Sequence, residues 1–298
     1  MKYFYYPGCS LEGTALEYDA STRAVMRALG VELMEIADWT CCGASAGDAV
    51  SYLLSMVLPA RNLALAERTE VQADFLVPCS ACYLNLQKVE DQVKDNASLL
   101  NNINEVLAEE LLTYKGGVKI RHLMEVLARD IGPERFGKQV KRRLTGLRVA
   151  PYYGCQALRP SGSYDDPEQP TSMEPLIEAL GAQVHSWSMG PRCCGAGLMT
   201  TKGEVALHSV EHILKAARSA DCIVTICPMC QMNLDAYQQQ VSKLAAEDLT
   251  ISVLYLPQLI GLALGLPEQE LKLGSNFVFT NPLQQKLHSM PWKQPATS

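Results

Sequence analysis

The cysteines of this chain repeat. They stand at 9, 41, 42, 79 and 82, and again at 155, 193, 194, 227 and 230, with Cys222 as an eleventh. Each half reads C…CCG…CxxC, with equivalent cysteines 146, 152, 152, 148 and 148 residues apart. At this cysteine frequency roughly 0.03 CCG triplets are expected in the chain, so two in register are not chance. The flanks repeat as well. Tyr5-Tyr6-Pro7-Gly8-Cys9 answers Tyr152-Tyr153-Gly154-Cys155, and Leu29-Gly30-Val31-Glu32 answers Leu180-Gly181-Ala182-Gln183. A duplication of this kind restricts the fold to two copies of one supersecondary unit.

The copies share one coarse pattern of elements. A short apolar strand (2–6; 148–153) leads to the first cysteine. A helix follows (15–29; 173–180) and stops at Gly30 and Gly181. A second strand (32–36; 183–187) delivers CCG, and an Ala- and Leu-rich helix follows (52–69; 204–219). A third strand (75–77; 223–226) ends at CxxC, and a further helix leaves it (83–94; 232–244). Strands alternating with helices predict βαβ units. The expected class is α/β, as two pseudo-symmetric repeats with mainly parallel sheets. The first cysteine-rich domain is placed at 1–145 and the second at 146–298, the division falling near Lys141-Arg142-Arg143. Ligands of parallel sheets bind beyond the carboxyl ends of the strands, so the three cysteine groups of each half are expected to converge there.

Composition narrows the function. With 298 residues and 48% hydrophobic residues the chain can fill real cores, and the net charge of -6 argues against nucleic-acid binding. The N-terminus has no apolar segment of a signal peptide, which predicts a cytoplasmic protein with reduced thiols. The longest apolar stretch, 251–266, is broken by Pro257 and is too short to span a bilayer. It reads as a strand, 251–256, and a buried helix, 258–264. The tail after Asn281 reads as a surface arm.

The thiols then need a use. Cys222 begins a strand and has no counterpart in the first half, so it reads as a buried structural residue. A tetrahedral zinc site takes four ligands, typically two CxxC pairs, whereas each half offers five thiols, two of them adjacent. Adjacent cysteines diverge on an extended backbone and suit different metals of a polynuclear cluster. The glycine after the pair permits a sharp turn and brings backbone N–H groups close to sulfur. Soft thiolates favour iron–sulfur clusters over zinc, with thiol–disulfide exchange as a third possibility.

The two modules, Cys9-x31-Cys41-Cys42-Gly43-x35-Cys79-x2-Cys82 and Cys155-x37-Cys193-Cys194-Gly195-x31-Cys227-x2-Cys230, resemble the B-type subunit of heterodisulfide reductase over almost the whole chain. The opening Tyr-Tyr-Pro-Gly-Cys-Ser-Leu-Glu-Gly is similar to bacterial members. The resemblance implies two noncubane [4Fe-4S] clusters. Cys9, Cys41, Cys42, Cys79 and Cys82 would hold one, and Cys155, Cys193, Cys194, Cys227 and Cys230 the other. It implies an oxidoreductase that splits or forms a disulfide, such as that of coenzyme M and coenzyme B, in a cavity between the halves. It also implies the partners of such a complex, a ferredoxin-type iron–sulfur protein and a flavoprotein, since this chain has no nucleotide-binding glycine fingerprint. The alternative is an electron-transfer subunit without a disulfide substrate, as in sulfur-oxidising, flavin-bifurcating or benzoyl-coenzyme A reductase systems.

Other residues read more plainly. His208 and His212 share a helix face but lack the Glu of a metalloprotease motif, since Ser209 stands there. Arg192 and Lys202 flank the second CCG as candidate anion contacts. Trp39 and Trp187 close the second strands and read as packing. Met26, Met34 and Met56 read as core filler.

Overall fold

The computed structural model describes residues 1–44, 46–69, 71–159 and 164–292. The first half runs β1 (Lys2–Tyr5), α1 (Cys9–Glu12), α2 (Leu16–Ala28), β2 (Glu32–Glu35), α3 (Gly47–Val50), α4 (Tyr52–Glu67), β3 (Asp74–Val77), α5 (Ser80–Lys94), α6 (Ala97–Leu107), β4 (Ile120–His122) and α7 (Leu123–Glu125). A π-helical stretch, Val126–Ile131, and α8 (Pro133–Gln139) lead to the second half. There follow β5 (Arg148–Tyr152), α9 (Glu174–Ala179), β6 (Gln183–Val184), α10 (Gly203–Ala216), β7 (Cys222–Thr225), α11 (Pro228–Ala236), α12 (Gln238–Ala245), β8 (Ser252–Tyr255), α13 (Leu256–Leu264) and α14 (Asn281–Ser289).

Two four-stranded sheets result, in the orders β2-β1-β3-β4 and β6-β5-β7-β8. Every pairing is parallel. The inner strands are covered on both faces, which is why they read as unbroken apolar runs such as Phe75-Leu76-Val77 and Ile223-Val224. In each sheet the chain leaves the first strand to one side and returns to the other. The switch point therefore lies between β1 and β3, and between β5 and β7, where a crevice forms beyond the strand ends.

One hydrophobic core runs from the first sheet across to α9, α13 and α14, and a second lies under β5, β7 and α10. The halves interlock. Helix α13, which follows β8, packs on α2, which follows Cys9. Reciprocally, Arg129 in the stretch after β4 donates to the carbonyl of Tyr164, which follows Cys155, at 2.6 Å.

Four expectations are corrected. The helix expected at 83–94 begins at Ser80, so Cys82 lies in its first turn. The helix expected at 232–244 is two, parted at Tyr237. The strand expected to reach Trp187 ends at Val184. The tail is not a free arm as far as Met290. Leu283, Leu287 and Met290 recur on one face and are buried, and Thr280 caps the helix by accepting from the Leu283 N–H. Pro282 sits in the first turn, where a missing N–H costs nothing. Pro295 lies outside the described residues.

Candidate metal centre

The cysteines that follow β1, β2 and β3 meet at the carboxyl end of the first sheet. Cys9 Sγ lies 3.6 Å from Cys41 Sγ, and Cys42 Sγ lies 3.3 Å from Cys82 Sγ. Cys41 also meets Cys42, and Cys79 meets Cys82, so the five thiols form one chain of contacts. In the second half Cys194 Sγ lies 3.6 Å from Cys230 Sγ, while Cys155 meets Cys193 and Cys227 meets Cys230. The structure thus gathers the ten residues singled out in the sequence into two sets of five. Cys222 lies apart, fully buried in β7, where desolvation pushes its thiol up.

Local structure explains the gathering. Cys79 and Cys227 sit at the N-caps of α5 and α11, and Cys82 and Cys230 lie in the first turns. Helical side chains lean towards the N-terminus, so both thiols of each CxxC approach the positive end of the helix dipole. The glycines of the two CCG triplets adopt left-handed φ, +76° at Gly43 and +78° at Gly195. That turn aims the Gly43 N–H at Cys41 Sγ (3.5 Å) and the Gly195 N–H at Cys193 Sγ (3.4 Å). A Cβ on Gly195 would lie 2.8 Å from the Ala206 Cα, so α10 leaves no room for another residue.

Equivalent side chains brace both sets. Tyr6 donates to the Thr40 carbonyl at 2.7 Å, and Tyr152 to the Arg192 carbonyl at 2.6 Å, each just ahead of an adjacent cysteine pair. Asn85 donates to the Cys42 carbonyl at 3.1 Å, and Asn233 to the Cys194 carbonyl at 2.6 Å. In the sequence Tyr6 and Tyr152 stand out only as repeated flanks, and Asn85 and Asn233 are not singled out. Their signal was present as a shared offset: a Tyr three before the first cysteine and an Asn three after CxxC.

Thiols this close do not ionise independently, because each charge raises the cost of the next. Hydrogen bonds from the Cys41 and Cys82 thiols hold Cys42 well below the usual range, while Cys41 and Cys82 are pushed up. In the second set Cys155 holds Cys193 down, helped by the Gly195 N–H and the Arg159 guanidinium. Cys227 is held down to about 7 by Cys230, backbone N–H groups and the Ser80 hydroxyl of the other half. Each half therefore offers a ready thiolate at neutral pH, the form that binds metal.

Exposure is graded. Cys9, Cys41 and Cys193 are exposed, Cys155 is half-buried, and the other six are buried. A cavity of about 480 Å³ opens on Cys155, lined by Gln156, Arg159, Pro167 and Glu168. Arg159, not singled out in the sequence, pairs with Glu168 at 2.7 Å. Arg192 is exposed and lines a groove with Glu174 and Trp187, and Lys202 is exposed ahead of α10. Trp39 packs edge-on against Tyr6, and Trp187 donates to the Pro151 carbonyl. His208 is exposed and pairs with Glu211, and His212 is exposed beside it.

The donor set fits a polynuclear thiolate-held cluster. The groups that meet in each set are soft thiols, with the Ser80 hydroxyl beside Cys227. Spacings of 3.3–3.6 Å approach the edge of about 3.7 Å expected for two thiolates on one tetrahedral metal. Among the described residues, no group of three or more His, Cys, Asp or Glu side chains is placed to hold a metal ion.

Fold and site together define a class: duplicated parallel α/β proteins that present five thiols at the carboxyl end of each sheet. The chain belongs to the cysteine-rich CCG domain family, whose model matches residues 3–87 and 149–235, and it is a relative of the B-type heterodisulfide reductase subunits. It is 37% identical to the 8-methylmenaquinol:fumarate reductase membrane anchor subunit of Wolinella succinogenes, over 93% of this chain and 97% of that protein. It is 32% identical to the B-type subunit of the ferredoxin/F420H2-dependent CoB-CoM heterodisulfide reductase of Methanosarcina acetivorans, over 91% of this chain and 92% of that protein. A protein of Archaeoglobus profundus that is like the heterodisulfide reductase B-type subunit is also 32% identical, with 91% and 93% covered. A solved structure of a hypothetical protein from Helicobacter pylori shares the fold with a TM-score of 0.77 at 16% identity, over 94% of this chain and 52% of that one. Among the described residues, no helix is long and apolar enough to cross a membrane.

Proposed function

We propose that this chain is a redox iron–sulfur subunit of a multisubunit oxidoreductase, acting on a disulfide. In this reading its modules, 1–145 and 146–298, each hold one noncubane [4Fe-4S] cluster on the five cysteines named for it. The observation that carries the reading is the approach of the two equivalent CxxC loops at one seam, with Ser80 of the first in contact with the Cys227 thiol of the second and the Tyr18 hydroxyl donating to the carbonyls ahead of both. When bound, such clusters supply electrons one at a time and stabilise thiolates. Cleaving a disulfide consumes two electrons and two protons and yields two thiols, so two one-electron sites on one chain match the demand. The residues contribute more than ligation. N–H groups of Gly43 and Gly195 face sulfur and favour its negative charge. The exposed Cys9, Cys41 and Cys193 leave an approach for substrate or for an electron-carrying partner. The partners proposed are a ferredoxin-type iron–sulfur protein and a flavoprotein, in the cytoplasm.

A second reading is favoured by the Wolinella relative, named as part of a quinol-linked fumarate reductase. Here the chain relays electrons within a reductase complex and has no disulfide of its own. Rapid mixing of reduced, iron-loaded protein with disulfides, followed by paramagnetic resonance, separates the two. A new signal that depends on the disulfide supports the first reading, and an unchanged spectrum supports the relay. Colourless protein holding only zinc would sink both.

A further inference from the structure

Each half carries a tyrosine nine residues after its first cysteine, Tyr18 after Cys9 and Tyr164 after Cys155. Both cross to the opposite half. Tyr18 stacks on Tyr255 with centroids 4.1 Å apart and planes 6° from parallel. Tyr164 stacks on His122 at 5.8 Å and 7°. Tyr255 and His122 occupy one equivalent place. They end β8 and β4, in register with Thr225 and Val77, each two residues before a CxxC. All four side chains are buried.

Their hydrogen bonds are not equivalent. The Tyr18 hydroxyl shares its proton between the carbonyl of Pro78 and that of Ile226, both at 3.0 Å. Pro78 immediately precedes Cys79, and Ile226 immediately precedes Cys227. The two carbonyl oxygens thus lie no farther apart than the sum of those distances. Ser80 adds a second tie. His122 Nδ1 accepts from the Met124 N–H at 3.1 Å, which places the ring proton on Nε2. Nε2–H then faces Ser80 Oγ at 3.2 Å, so the single Ser80 proton is shared between the Ile226 carbonyl at 3.3 Å and the Cys227 thiol. Among the described residues, the Tyr164 hydroxyl has no partner.

We infer that Tyr18 is a positioning residue, which sets the separation of the two thiol sites by holding the backbone ahead of Cys79 and Cys227 on one oxygen. The inference rests on the reading that each quintet holds a cluster. Tyr18 is fully buried, so water cannot replace its hydroxyl. Either carbonyl, if released, would lose this bond in the interior. Ser80 gives the Ile226 carbonyl a second, longer bond, so the short Tyr18 bonds are kept to both loops only while they stay within reach of the same oxygen. Interactions between two charged or paramagnetic centres depend on their distance, so this tie fixes how strongly the two sites sense each other.

The test uses the full chain with Tyr18→Phe, which keeps the ring against Tyr255 and removes only the hydroxyl, beside Tyr164→Phe. In metal-free, reduced protein, backbone amide exchange is followed across 79–82 and 227–230. Tyr18→Phe is expected to speed exchange about tenfold in both loops together. Tyr164→Phe is expected to leave both unchanged. In protein loaded anaerobically with iron and sulfide, Tyr18→Phe is expected to keep its iron but lose the wild-type magnetic splitting between the reduced centres. Ser80→Ala, which removes the longer tie together with the hydroxyl's contact to Cys227, is expected to shift both readouts in the same sense by less. Faster exchange in one loop alone, a wild-type splitting in Tyr18→Phe, or an equal effect from Tyr164→Phe would overturn the inference. Should wild-type protein take up no iron, the cluster reading fails, while the exchange experiment still decides whether Tyr18 ties the loops.

Discussion

Cys42 Sγ lies 3.3 Å from Cys82 Sγ, although the two residues are 40 positions apart and come from different loops of the sheet. Cys194 and Cys230 repeat the contact at 3.6 Å in the second half. Each contact joins an adjacent-pair cysteine to a CxxC cysteine, so each links two of the three cysteine groups of its set.

Removing one member should therefore empty one set and spare the other. Cys42→Ala is expected to lower iron content by about half and to remove one paramagnetic signal. Cys194→Ala should remove the other. Iron and sulfide analysis with paramagnetic resonance checks this, and loss of all iron in either variant would contradict two independent sites.

Gly8 has φ +74° and ψ 163°, a backbone region essentially reserved for glycine, and a Cβ there would lie 2.9 Å from Cys82 Sγ. Gly8→Ala is expected to cost about 1–3 kcal/mol and to displace that thiol. Gly154→Ala should act likewise on Cys230, where the distance is 3.0 Å. Thermal unfolding and iron content are the measurements. Each variant should lower occupancy in its own half only.

Asn233 is buried, and its amide donates to the Cys194 carbonyl at 2.6 Å. Asn233→Ala strands that carbonyl and is expected to destabilise the fold by about 1–3 kcal/mol. Asn85, its equivalent, is only half-buried, so water can replace it and Asn85→Ala should cost less. Comparing the two melting temperatures decides the point.

Burial pushes the His122 imidazole down to about 3. In the unfolded chain it titrates near ~6.5. Between these values the unfolded state binds the extra proton, so stability falls as the pH drops below ~6.5, by up to about 1.4 kcal/mol per pH unit. Asp235, raised to about 6 by burial, works in the opposite sense but is common to both proteins. Unfolding of His122→Gln followed from pH 7 to 4.5 should therefore give a shallower acid loss than wild type. Parallel curves would show that the histidine does not titrate on unfolding.

Much of the site was legible because a duplicated sequence supplies its own comparison. Cys9 and Cys155, the two CCG triplets and the two CxxC pairs stand out against unrelated spacers. The same comparison pointed to the parallel strands, since Phe75-Leu76-Val77 and Ile223-Val224 are short apolar runs between helical patterns. It did not reach β4, whose Ile120-Arg121-His122 is too short to show a period and whose Arg121 is buried only through ion pairs with Asp74, Glu125 and Asp130. Nor did it reach α14, where prolines suggested an arm and three spaced apolar residues made a docked helix.

By itself the sequence determined which cysteines form the two candidate sets and the repeated βαβ order, because residue spacing and strand–helix alternation are local properties. Only the tertiary structure decided what lies between the two sets. Tyr18 is as far along the chain from Ile226 as 208 positions, and no spacing rule links them. Their bond exists because each half, unable to cover its own sheet end, packs the segment after its first cysteine against the strand end of the other.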